Sequence, residues 1–124
     1  MTQIANITVK NGSVVDQVFT AYQPQSGSDP AVWLAKDANP REKWASLTAS
    51  VRRTTNKASR LKLNITLPLF DLAGVRTGSI PSSVEVTIPD SATDAQIKDA
   101  QAYLTNILAN ALVKDMILTG SPAI

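Results

Sequence analysis

The sequence contains no histidine and no cysteine, and these two absences exclude several kinds of function. Without histidine there can be no Ser-His-Asp or Cys-His catalytic group and no imidazole ligand for a metal. Without cysteine there can be no disulfide framework, no thiolate nucleophile and no zinc knuckle. We therefore expect no metal site and no cofactor.

Long apolar runs are absent as well. No segment approaches the roughly 20 apolar residues that are needed to cross a bilayer. The N-terminus lacks a basic region followed by an apolar stretch, which is the pattern of a secretory signal. We therefore expect synthesis in a cytoplasm, no membrane partner and, for a chain of 124 residues, a single domain over residues 1–124.

The residues that enzymes use are present but not arranged for catalysis. The five glycines are scattered at predicted turns and form no phosphate-binding loop. Most acidic residues fall in predicted loops or on the outside of predicted helices. Glu85 is the one acid on the polar face of a predicted sheet, where we expect it to pair with a nearby Arg or Lys. Neither an enzyme nor a small-molecule substrate is expected.

The positive charge is concentrated in one region. Residues 41–62 contain seven basic side chains and a single acid, a net +6, whereas the rest of the chain has five basic and nine acidic side chains, a net −4. Such a concentration is typical of a surface that binds a polyanion. It is also typical of an exposed hairpin kept soluble by Lys and Arg, and charge alone does not separate the two.

Strand patterns occupy the first 89 residues. Residues 1–22 are predicted to form an N-terminal β-hairpin around Asn11-Gly12, a strong turn signal. The main sheet is predicted over 31–89, with a loop at 70–82. Its clearest strands are 44–54 and 60–67, which alternate apolar and polar residues and should pair antiparallel, leaving one apolar and one polar face.

A helical pattern follows at 92–119, with Ser91 or Thr93 as the N-cap and Gly120 as the C-terminal stop. The length allows one long helix or two with a bend near Ala109-Asn110. The apolar stripe must be covered by the chain's own strands or by a second copy. We predict an α+β protein with these core or dimer positions on its helices: Ile97, Leu104, Ile107 and Leu108.

The polar face of the two clear strands is the candidate binding surface. Its Arg and Lys residues would bind phosphates, and its Ser, Thr and Asn residues would contact phosphate, sugar or base edges. Aromatic residues for base stacking are not evident, since Trp44 lies at the edge of this surface at most. The candidate residues are Thr48, Ser50, Arg52, Thr54, Thr55, Arg60, Lys62, Asn64 and Glu85.

The order of these elements resembles the coat proteins of single-stranded RNA bacteriophages, the leviviruses. The resemblance is close over residues 44–68, where a small-polar and Arg strand precedes an alternating strand that ends in Pro68, and over 83–89, which read Ser-Val-Glu-Val-Thr-Ile-Pro. It extends in architecture over nearly the whole chain. It departs from the family at a base-stacking Tyr, where this chain has Pro81 or a neighbouring Ser, and at a basic position that is Ser46 here.

The resemblance implies an intertwined homodimer, in which each chain's helices lie over its partner, and a T=3 icosahedral shell around a single-stranded RNA genome. It implies that the polar face binds RNA at the candidate residues, and that residues 70–82 lie near the five-fold and quasi-six-fold axes. It also implies repression of replicase translation through an RNA hairpin, assembly in the bacterial host cytoplasm and residence in the virion. The alternative hypothesis is a non-assembling dimeric RNA-binding translational regulator that uses the same face.

Overall fold

The computed structural model describes residues 3–27, 29–36, 43–54 and 57–122, and these contain a sheet followed by two helices. The strands form one sheet in which spatial order follows chain order. Strands first and helices last is the α+β arrangement that the sequence predicts. The strands are β1 (Ile7–Lys10), β2 (Asp16–Gln23), β3 (Ala31–Leu34), β4 (Ser46–Thr54), β5 (Ala58–Phe70) and β6 (Arg76–Pro89), and the helices are α1 (Asp94–Leu108) and α2 (Ala111–Thr119).

The chain divides into two compact units, Met1–Thr87 and Ile88–Ile124. The first unit contains the N-terminal hairpin that the sequence predicts, because β1 pairs antiparallel with β2 from Ile7 opposite Phe19 to Lys10 opposite Asp16. The second unit contains both helices. The single domain expected over 1–124 stays a prediction.

Two hairpin turns share one hydrogen-bonding pattern. At 11–15, the Asn11 side chain accepts from the backbone N–H groups of Ser13 and Val15. At 71–75, Asp71 accepts in the same way from Ala73 and Val75. In both turns the first and fifth residues and the first and fourth residues are also joined by backbone hydrogen bonds of 2.9–3.0 Å.

The fourth residue of each turn has a left-handed backbone conformation, with φ of 60° at Val14 and 82° at Gly74. Glycine adopts this conformation at little cost, whereas a β-branched residue is strained there. The sequence places the turn correctly at Asn11-Gly12, but the positive φ falls on Val14. The reason is that the Asn11 side chain organises a five-residue turn and not a two-residue one.

The predicted loop at 70–82 is wrong for most of its length. β5 continues through Pro68 to Phe70 and β6 begins at Arg76, so that only 71–75 form the turn. Pro68 is tolerated because β4 starts at Ser46, opposite Thr66, and its ladder ends before the proline. Pro81 is tolerated because β6 is the last strand of the sheet, so that one of its edges has no partner strand among the described residues.

The side chain of Gln25 covers one exposed edge of the sheet. β3 begins at Ala31, opposite Ala49, so β4 extends past it. Beyond that point, Gln25 Nε2 donates to the Val51 carbonyl and Gln25 Oε1 accepts from the Val51 N–H, each at 2.8 Å. One amide side chain thus replaces a missing strand and blunts an edge that would otherwise recruit another strand.

The helical region begins and ends as the sequence predicts, and it consists of two helices, one of the two arrangements that the sequence allows. Thr93 is the N-cap of α1, and a capping box joins it to Gln96. The chain breaks near Ala109-Asn110, as the two-helix alternative requires: Asn110 caps α2 through its side chain, which accepts from the Leu112 N–H at 2.9 Å. Gly120 ends α2 with a φ of 68°.

Little of the described apolar surface is buried. The buried hydrophobic residues among the described ones are Ala35, Leu47 and Ala58. On the helices, Ile97 and Leu104 are half-buried, while Ile107 and Leu108 are exposed. Within the described residues, neither helix is long and apolar enough to cross a membrane.

The strained turn residue leads to a stability prediction. Val14 is 74% exposed, so Val14→Gly removes little packing and relieves the left-handed backbone strain. We expect the free energy of unfolding to rise by about 1 kcal/mol, measured by urea denaturation. The matched Gly74→Val should lower it by a similar amount through the backbone, because an added Cβ would approach only the flexible Lys43 ammonium, at 4.0 Å. A loss of stability in Val14→Gly would contradict this account.

Candidate nucleic-acid interface

The pairing of β4 with β5 brings most of the predicted binding residues together. Directly opposed residues in an antiparallel pair share a face, and alternate pairs fall on the same face. The rows on the polar face are Ser46 opposite Thr66, Thr48 opposite Asn64, Ser50 opposite Lys62, and Arg52 opposite Arg60. The last three rows span about 13 Å along the strands.

The other predicted residues lie at or beyond the end of this ladder. Thr54 is half-buried and stands opposite the buried Ala58, one row past Arg52. Thr55 lies outside the described residues. Arg53, part of the basic stretch, stands opposite Ser59 in a row of the other face. Among the described residues, the candidate interface therefore includes only part of the basic stretch of the sequence.

The charged row is the electrostatic centre of the interface. Arg52 and Arg60 stand directly opposite each other, an arrangement of like charges that costs stability in a sheet. Glu85 of β6 reduces this cost, because its Oε1 lies 3.0 Å from Arg60 Nε. This contact confirms that Glu85 pairs with a basic neighbour. Both side chains are about half exposed, at 53% and 50%, so the pair adds little net stability.

The exposure of the side chains divides the interface into outer charged groups and a half-buried layer rich in hydroxyl groups. Arg52, Arg60 and Lys62 are exposed, whereas Thr48, Ser50 and Asn64 are half-buried. Long cationic side chains above short hydrogen-bonding groups suit a phosphodiester chain with its bases turned toward the sheet. Among the described residues, no cluster of acidic side chains could hold a metal ion.

β3 adds residues to this face that sequence reasoning missed. Val32 pairs with Thr48 and Leu34 pairs with Ser46, so two half-buried aliphatic side chains border the hydroxyl rows. The short β3 segment lies within the predicted main sheet, but its apolar run gives no sign of which residues face which side. Only the register with β4 resolves this.

An aromatic and lysine cluster lies at the far end of the same face. The Ala35 N–H donates to the Ala45 carbonyl at 3.0 Å, which extends the β3–β4 ladder and brings Lys36 opposite Trp44. Lys36 Nζ lies 5.7 Å from the centre of the Trp44 ring and 6.0 Å from that of Tyr22. Alternation back from Ser46 indicates the side on which Trp44 lies, but no local pattern brings Tyr22 to it.

A comparison of the sequence with known families matches residues 2–123 to the family described as Levivirus coat protein. A search of curated proteins finds no match.

Solved structures resemble the chain over nearly its whole length, and three of them illustrate the similarity. The virus-like particle protein of bacteriophage NT-214 is 27% identical, with 99% of this chain and 100% of that one covered and a TM-score of 0.89. That of Beihai levi-like virus 21 is 18% identical, with 99% of each chain covered and a TM-score of 0.87. An unassembled bacteriophage coat protein, described as an RNA-binding dimer, is 18% identical, with 97% of each chain covered and a TM-score of 0.73. The resemblance stated from the sequence is confirmed, and the chain belongs to the levivirus coat protein family.

Proposed function

We propose that this coat protein forms homodimers, that the dimers assemble into a T=3 icosahedral shell, and that the β4–β5 polar face packages single-stranded RNA inside it. The observation that carries the proposal is the register of β4 with β5, which gathers hydroxyl, amide and cationic side chains on one face. The proposal adds assembly in the bacterial host cytoplasm, and no catalytic activity.

Self-association is supported by apolar surface on both units. On the first unit, the face opposite the binding rows carries an open groove of about 910 Å³ with Trp33, Ala49 and Val51 in its lining. On the second unit, Ile107 is 55% exposed and Leu112 59%. A protein rarely leaves so many large apolar side chains in water unless another surface covers them. A second copy supplies both kinds of surface, related by two-fold symmetry.

RNA binding is supported by the kind of groups on the polar face. Arg52, Lys62 and Arg60 suit phosphates, and Thr48, Ser50 and Asn64 suit phosphate, ribose or base edges. Contacts of this kind give binding that depends strongly on salt and weakly on sequence. Two-fold symmetry would repeat every row in the dimer.

Repression of replicase translation through an RNA hairpin is the finer part of the proposal. It requires selectivity for one RNA, and the exposed Pro81 of β6 offers no ring where the family resemblance calls for a stacking Tyr. A non-assembling dimeric translational regulator remains the alternative function, since it would use the same face.

The assembly state separates the two functions. We expect purified protein to contain a megadalton species whose RNA is protected from nuclease, visible as shells by electron microscopy. The regulator would instead remain at about twice the chain mass of 13.2 kDa at every concentration. Observation of only that smaller species would refute the shell.

The charged rows lead to a prediction about packaging. Replacement of Arg52→Ala together with Lys62→Ala should lower the RNA content of the particles. It should also reduce the slope of log K against log salt by about 0.7 for each phosphate that the protein no longer neutralises. Lys98→Ala with Lys114→Ala removes the same charge from the helices and serves as the control. RNA content that falls equally in both variants would contradict a specific role for the face.

The helix positions lead to a prediction about dimerisation. Ile107→Asp should abolish the dimer, because a buried interface cannot accept an unpaired carboxylate. Gln101→Asp adds the same charge on a polar position of α1 and should leave the dimer intact. Sedimentation measures the mass and circular dichroism monitors folding. A stable dimer of Ile107→Asp would place this residue outside the interface.

A further inference from the structure

We propose that Tyr22, Lys36 and Trp44 form a second RNA contact on the polar face, in which an unpaired base stacks on the aromatic side chains and Lys36 binds the neighbouring phosphate. This inference rests on the proposed packaging role of the face. It assigns stacking to a part of the sheet separate from the charged rows.

Position is the first argument. Lys36 and Trp44 continue the β3–β4 ladder one row beyond Leu34 and Ser46, so they follow the alternation of the polar face. Trp44 precedes Ser50 by six residues, which puts it about 20 Å along the strand from the Ser50–Lys62 row. Tyr22 lies at the register shift of β2, beside Val32 and Trp33, and reaches the cluster through its contact with Lys36. A single RNA strand that follows β4 would meet the phosphate-binding rows and then this cluster.

Chemistry is the second argument. The Tyr22 side chain is accessible to solvent, since the residue is 55% exposed. Aromatic side chains beside cations are the usual platform for unpaired bases, because every base offers a π-face. The half-buried Leu34 in the adjacent row gives the site an apolar border. Together these groups provide the stacking surface that the charged rows lack.

The weak contacts of the Lys36 ammonium are the third argument. Its ammonium lies 5.7 Å and 6.0 Å from the two ring centres, at the outer limit of a cation–π contact. Among the described residues, Lys10 forms an ion pair with Asp16, whereas none is seen at Lys36. A loosely held cation of this kind can turn from the rings to a phosphate at small cost.

The other tryptophan provides an internal contrast. Trp33 lies opposite Leu47, in a row of the apolar face, and its indole N–H donates to the Ala5 carbonyl at 2.8 Å. That ring has a structural role. Trp44 stands on the opposite side of the sheet, where RNA is proposed to bind.

Photochemical cross-linking tests the site directly. A short single-stranded RNA that contains 5-bromouridine is bound to the protein and irradiated, and tryptic peptides are analysed by mass spectrometry. Cleavage at lysine and arginine separates Tyr22, in the peptide 11–36, from Trp44, in the peptide 44–52. We expect cross-links at Tyr22, at Trp44 or at both, assigned within each peptide by fragment ions.

Matched variants separate stacking from structure. Tyr22→Leu should lose the Tyr22 cross-link and weaken binding of the oligonucleotide by about 5-fold or more, whereas Tyr22→Phe keeps the ring and should bind normally. Lys36→Ala should lower the salt dependence of binding, whereas Lys36→Arg should preserve it. Circular dichroism confirms that each variant is folded.

The outcomes distinguish this inference from the proposed function. If RNA binds and Arg52→Ala with Lys62→Ala weakens it, while cross-links avoid Tyr22 and Trp44 and Tyr22→Leu binds normally, the second contact is refuted and the packaging face stands. If no RNA binds the wild-type protein, both are refuted.

Discussion

The register between β4 and β5 is the constraint on which the rest of the molecule depends. In a strand, a shift of one residue moves every side chain to the opposite face. With Ser50 opposite Lys62, the cations and hydroxyls share one face and the aliphatic residues share the other. Slippage by one position would mix the two sets and would remove both the candidate interface and the apolar face at once.

Side-chain contacts at the ends of other strands fix how the remaining parts of the sheet are joined. The Asp71 turn fixes where β5 ends and β6 begins, and the Asn11 turn does the same for β1 and β2. Gln25 satisfies the exposed edge of β4 where β3 stops short. These contacts use side-chain oxygens and amides in place of additional strands, which suits a chain with little buried apolar surface of its own.

Much of this arrangement could be predicted from local sequence patterns. Strict alternation revealed β4, β5 and their two faces, and spacings of three and four that end at Gly120 revealed the helical region without deciding between one helix and two. The long hairpin of β5 and β6 was missed because Pro68 and Pro81 are read as strand ends, and their tolerance depends on where neighbouring strands stop. The contact of Tyr22 with Lys36 was also missed, because it joins segments that only the sheet brings together.

The ion pair between Arg60 and Glu85 has a consequence for how reversibly the proposed RNA contact would form. A phosphate that approaches Arg60 must compete with a carboxylate already 3.0 Å from its guanidinium. Each such encounter would therefore exchange one anion for another, with a small net gain in free energy. In the proposed shell, repetition of these weak exchanges over many subunits would retain the RNA firmly while misplaced segments could still detach and rearrange.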